Sequence, residues 1–250
     1  LVGAKWYTTG MPKYKNITYE LPSDKVENGK LNKLRAAVLG ANDGIVSVSA
    51  IVMGVVGATT ADAKAVAIAG LAALIAGALS MAVGEYVSVS SQSDAEKAFI
   101  ELEKKELRDM PELELHELAH EYMKHGVSKE TAKLVAEELT KKDALRAHLR
   151  MHFNLDPDDI NNPWQAAIAS LTAFTVGGLI PFAAMVFTPG EFRIAATVAA
   201  VCVALVIVGQ LSGRASNASR TRATIRVLVG GLLAMGITYV IGHLFGVVVG

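Results

Sequence analysis

The stretch at residues 36–58, AAVLGANDGIVSVSAIVMGVVGA, holds a single ionisable side chain, Asp43, among 23 residues that are otherwise apolar, small or uncharged. About 20 such residues in a helix cross the roughly 30 Å hydrocarbon core of a bilayer. Four further apolar blocks, at residues 65–91, 164–188, 194–213 and 227–249, complete the pattern. The expected fold is therefore an all-α membrane protein with five transmembrane helices. A carboxylate at mid-bilayer costs about 2.5–3.5 kcal/mol on insertion scales, and it persists where it faces a protein interior or a polar path. Asp43 is accordingly the first candidate for a transport site.

The charges orient this layout. Net charge is zero over 250 residues, yet seven Lys and Arg precede the first span, eleven lie between spans two and three, and four lie between spans four and five. Only Lys64 and Arg193 fall on the opposite side. Basic residues are retained in the cytoplasm, which places the N-terminus and the long middle segment there and the C-terminus outside or in a lumen. The expected organisation is a cytoplasmic N-terminal arm at 1–35, transmembrane helices one and two within 36–92, a cytoplasmic helical metal-binding insert at 93–162, and transmembrane helices three to five within 163–250. The single cysteine, Cys202, excludes an intrachain disulfide. The first 30 residues lack the apolar core of a signal peptide. No glycine-rich phosphate loop follows a strand, so nucleotide-driven pumping is not expected, nor is a nucleic-acid partner.

Within the insert, Glu, Lys, His and Leu recur at helical spacing with no strand alternation. Met110-Pro111 breaks one helix, Gly126-Val127-Ser128 ends the next and caps a third, and Asp156-Pro157 closes the unit. Asn162-Pro163-Trp164 then opens span three with an N-cap, a first-turn proline and an interfacial aromatic. Gly177-Gly178 and Pro181 interrupt that span, where they either kink it or admit a close neighbour.

Asp43 enters about 10 Å from the cytoplasmic end of span one, and Met81 and Glu85 lie about 15 and 9 Å deep in span two. Two carboxylates and a thioether at similar depth suit a softer divalent transition metal better than magnesium or calcium. Competing readings are that Met81 only packs, that Glu85 sits at the headgroups, and that Asp43 caps a helix broken at Gly44 or pairs with Arg35. In the insert, Glu103 and Glu106 are three apart, as are Glu114 and Glu117; His120 and Glu121 continue that stripe, and His148, Met151 and His152 follow on the last helix. Residues three or four apart share a helix face, so each helix can present two or three donors to one centre, the chemistry of carboxylate iron and manganese sites in bundles. The bland alternative is a solvated face of alternating Glu and Lys. His116-Glu117-Leu118-Ala119-His120 also matches H-E-x-x-H, the zincin pattern of two zinc ligands and a general base, which makes a membrane zinc metalloprotease the second reading. Metal storage or sensing without transport is a third.

With Leu34 to Gly44, Ala78 to Tyr86 and Gly177 to Pro181 occurring in this order, the chain resembles the vacuolar iron transporter family, and its short-looped build resembles bacterial members. The resemblance implies a transporter rather than an enzyme, moving Fe2+ and often Mn2+ out of the cytosol in exchange for protons. It implies a homodimer in the bilayer with a path between protomers lined by spans one and two, where Asp43 and Met81 fall at the membrane metal ligands. It further implies an insert whose Glu side chains hold several ions, Glu103, Glu106 and Glu117 matching such positions, with Mn2+ or Zn2+ as other occupants. A bacterial member would sit in the plasma membrane and a eukaryotic one in the vacuolar membrane. Plant-type members carry acidic residues where this chain has Asn32, Ala73, His120 and Asn154. His120 can still ligate, whereas Asn32 and Ala73 supply no proton-carrying carboxylate, a gap for which Glu85, by its depth, compensates in part.

Overall fold

A computed structural model describes residues 28–59, 62–216 and 219–249, and among them every regular element is helical. In chain order these are α1 (Asn28–Thr59), α2 (Ala63–Asp109), α3 (Pro111–Lys124), α4 (Lys129–Phe153), α5 (Pro163–Phe187), a 3-10 turn at Gly190–Phe192, α6 (Arg193–Ala215) and α7 (Arg220–Val249). Five of them, α1, α2, α5, α6 and α7, are long and apolar enough to cross a membrane, as the composition requires. Residues 1–27 of the expected N-terminal arm lie outside the described residues, as does the side chain of Asn32.

The helix ends follow local chemistry. Asp62 caps α2 by accepting from the backbone N–H of Lys64 (2.9 Å) and Ala65 (3.2 Å). Asn162 does the same for α5 through Trp164 (3.0 Å) and Gln165 (3.3 Å), and Ser128 caps α4. Three boundaries differ from the apolar blocks. Helix α1 begins at Asn28 and α7 at Arg220, ahead of their apolar cores. Helix α2 does not stop near residue 91 but runs unbroken for 47 residues, about 70 Å at 1.5 Å per residue. No Gly or Pro lies between residues 85 and 110, and Ala, Glu, Lys and Leu there favour helix. One helix therefore joins the second span to the polar insert.

Helix α1 is the axis of the membrane half, packed by α5 along one part of its length and by α7 along the other. Glycines make both contacts backbone-close. A methyl group at Gly44 would lie 2.2 Å from the Phe174 carbonyl oxygen, and one at Gly242 would lie 1.9 Å from that of Gly54. The buried side chains around this axis include Ile45, Val48, Val52, Phe174, Met185, Leu205 and Met235. Gly177 contributes to the α1–α5 contact, a methyl there falling 2.4 Å from the Ala41 carbonyl oxygen. Overpacked side-chain sites typically lose about 1–3 kcal/mol, and here the obstacle is backbone, which cannot rotate away. Gly44→Val is thus expected to abolish the monodisperse folded species in detergent chromatography, while Gly230→Ala, whose added carbon meets nothing within 4 Å, leaves it unchanged.

The insert returns to the membrane half through a buried clamp. Glu96 on α2, 7% exposed, accepts from the side-chain amide of Asn161 at 2.7 Å, from the Asn161 backbone N–H at 3.3 Å and from Gln92 at 3.0 Å. The clamp joins the two ends of the insert just before the α5 cap. Stripping a partner from a buried carboxylate costs about 1–3 kcal/mol or more. Asn161→Ala is expected to lower the thermal midpoint, read by circular dichroism, and a midpoint equal to that of the parent would show the clamp to be energetically idle.

Candidate metal centre

Beyond the span, the polar end of α2 packs with α3 and α4 around a small core of Leu118, Ala119 and Ala136, with Leu115, Tyr122, Leu139, Ala147 and Met151 against it. Each helix sends one donor into a common buried point: Glu103 from α2, Glu114 from α3 and His148 from α4, with 3%, 4% and 0% exposure. One ligand atom from each lies within 4.8 Å of the others. Nδ1 of His148 is 2.8 Å from Oε1 of Glu103 and 3.4 Å from Oε2 of Glu114. Yet Glu103 Oε1 and both ring nitrogens of His148 are buried without a hydrogen-bond partner. Two donors about 2.0–2.2 Å from one ion stand about 3.0 Å apart at a right angle and about 3.4 Å apart at the tetrahedral angle. The donor set therefore fits a divalent ion better than it fits hydrogen bonding within the protein.

Its electrostatics are those of a carboxylate site. Burial raises the Glu103 carboxyl to about 7, helped by the charges of Glu114, Glu106 and Glu117. Glu114 is raised by burial and then by Glu117 and Glu106, with His152 opposing. Burial, and secondarily His152, lowers His148 to about 4, leaving a neutral imidazole able to ligate at physiological pH. Glu106, Glu117 and His152 thus surround the triad, each one turn from a buried member on its own helix.

In the membrane half, the Asp43 carboxylate accepts from Ser47 Oγ at 2.6 Å, within a helix that continues unbroken through Gly44. Arg35 pairs with Glu85 at 3.5 Å rather than with Asp43. Glu85 is 7% exposed and so is withdrawn from the surface rather than displayed at it. Met81 is half-buried and packs against the main core.

The VIT family model matches residues 34–243, most of the chain and all the donors above. The chain belongs to the VIT family. A protein of Acanthamoeba castellanii called vacuolar iron transporter is 42% identical over 217 residues, covering 86% of this chain and 80% of the relative. Vacuolar iron transporter homolog 2 of Arabidopsis thaliana is 36% identical over 233 residues, with 92% and 94% covered, and homolog 5 of Oryza sativa subsp. japonica is 38% identical over 217 residues, with 86% and 82% covered.

Of the donors expected from spacing, this VIT chain brings Glu103, Glu114 and His148 into contact and sets Glu106, Glu117 and His152 around them. Others are engaged elsewhere or exposed. Glu121 bonds Lys124 at 2.5 Å, which holds its carboxyl below the ordinary range. Met151 joins the insert's apolar core. His116, Glu117 and His120 of the H-E-x-x-H match are exposed, and neither histidine belongs to the metal-sized group found among the described residues. Sequence reasoning did not find the Glu96–Asn161 clamp or the Arg35–Glu85 pair. The burial of Glu96, Ile100 and Glu103 at steps of four and three marks the α2 face that a periodicity search extended past residue 93 would have found.

Proposed function

We propose that this VIT-family protein is a transporter, not an enzyme, that exports Fe2+, and Mn2+ as a second cargo, from the cytoplasm by proton antiport. The observation that carries the reading is the buried convergence of Glu103, Glu114 and His148 on a helix continuous with a membrane span. The insert, on the cytoplasmic side because nearly all Lys and Arg outside the spans fall on that face and only Lys64 and Arg193 on the other, captures the ion and raises its local concentration. Asp43, with Met81 beside the same core, takes it within the membrane, and protons from the far side then neutralise the carboxylate and release the metal. Metal and proton compete for a carboxylate, which is what an exchange cycle needs. Glu85, held by Arg35, is the second carboxylate at that level. The membrane is the plasma membrane in a bacterium and the vacuolar membrane in a eukaryote.

The working unit is a homodimer. Helix α2 exposes Ala72, Ala76, Ser80, Gly84 and Ser88 at every fourth position, a face that allows close helix approach in lipid. Gly84→Leu would then weaken the dimer without disturbing the protomer, since an added carbon there meets nothing within 4 Å.

The deciding experiment is uptake into proteoliposomes of Fe2+, Mn2+, Co2+ and Zn2+, with and without a pH gradient. Gradient-dependent Fe2+ flux supports the antiporter. A folded, metal-binding protein that moves no ion would favour storage or sensing.

A further inference from the structure

We propose that His148, backed by His152, makes the insert a nitrogen-containing site that selects Fe2+, Co2+ and Zn2+ over Mn2+ and rejects Mg2+ and Ca2+. This rests on the insert binding metal, as argued above, and adds which ions it prefers. Carboxylates alone discriminate weakly among divalent ions, whereas imidazole suits iron, zinc and their neighbours and is a poor ligand for the hard ions. His148 is the least replaceable member of the triad by position: its ring is fully buried, and Nδ1 faces both carboxylates at 2.8 and 3.4 Å. Neither ring nitrogen is committed to a hydrogen bond, so the imidazole is not a structural bridge already in use. His152 lies one turn further on, its ring centroid 5.6 Å from that of His148. The four nearby carboxylates, Glu103, Glu106, Glu114 and Glu117, supply charge, and the two imidazoles supply preference.

The test is competition of Mn2+ and Co2+ against a fluorescent chelator, using the full chain in detergent with Asp43→Asn in every sample so that the membrane carboxylate adds no second site, and His148→Glu as the variant. The parent is expected to prefer Co2+ over Mn2+ by well over tenfold, and His148→Glu to reduce that ratio by about tenfold while keeping Mn2+ binding. An unchanged ratio in the folded variant overturns the proposal. Pulsed EPR of Mn2+ bound to the parent gives an independent reading should the variant fail to fold. Coupling to an imidazole 14N is expected, and its absence overturns the assignment. Glu103→Gln combined with Glu114→Gln separates the two levels. If that pair leaves metal binding intact, the insert site itself is wrong; if binding is lost but His148→Glu leaves the ratio unchanged, only the selectivity role fails.

Discussion

Asp43→Asn is expected to reduce metal flux in proteoliposomes to that of protein-free vesicles, with the elution volume and helical content of the solubilised protein unchanged. The substitution is nearly isosteric, and the amide still accepts from Ser47 Oγ, now at 2.6 Å from the carboxylate. Packing around α1 therefore has no reason to change. Removed are the negative charge that a dehydrating cation needs and the group that a proton must neutralise to release it. Asp43 is the only ionisable side chain in residues 36–58, so no neighbour on its own span substitutes for it. Glu85 is already engaged by Arg35 at 3.5 Å. Undiminished flux in Asp43→Asn would remove Asp43 from the transport site. Ser47→Ala removes only an orienting donor and is expected to slow transport severalfold without stopping it.

How far such sites can be read from residues alone depends on the range of the interaction. Met110-Pro111, Ser128 and Asn162-Pro163 were legible as helix boundaries because a missing N–H or a capping side chain acts within one turn. The pairs Glu103 and Glu106, Glu114 and Glu117, and His148 and His152 were legible as shared faces for the same local reason. Which member of each pair turns inward was not, because that is decided by how α2, α3 and α4 pack on one another. Asp143 was also missed. Helix α4 breaks there, at φ −168° and ψ 89°, and the Asp143 side chain accepts from the Arg146 backbone N–H at 3.0 Å to start a new helical segment carrying His148. An Asp amid Lys, Leu and Arg looks like a solvated helix residue until its capping role is seen. The Arg35–Glu85 pair spans 50 positions and has no local signature.

The second large effect sets stability against binding. Glu103→Gln is expected to abolish metal binding by the insert while raising the thermal midpoint of the metal-free protein at pH 8. The folded Glu103 carboxyl ionises near 7 rather than 4.5, so its contribution to stability is complete below pH 4.5 and is lost as pH rises through 7. An ionisation moved from 4.5 to about 7 corresponds to roughly 3 kcal/mol, the cost at pH 8 of a charge that Gln does not carry. His148 runs the other way: depressed from 6.5 to about 4, it contributes stability above pH 6.5 that is lost as pH falls toward 4. The Glu103 and His148 slopes oppose each other between about pH 4.5 and 6.5, and the raised Glu114 carboxyl adds a further loss as pH rises, which leaves the metal-free parent less stable above that window. The gain from Glu103→Gln should therefore fade at pH 5, where Glu103 is already neutral. A bound ion displaces that same proton, so the parent's apparent metal affinity should fall about tenfold per pH unit below 7. A lower midpoint for Glu103→Gln at pH 8 would mean that the Glu103–His148 contact is a structural bond rather than a stored cost that metal binding relieves.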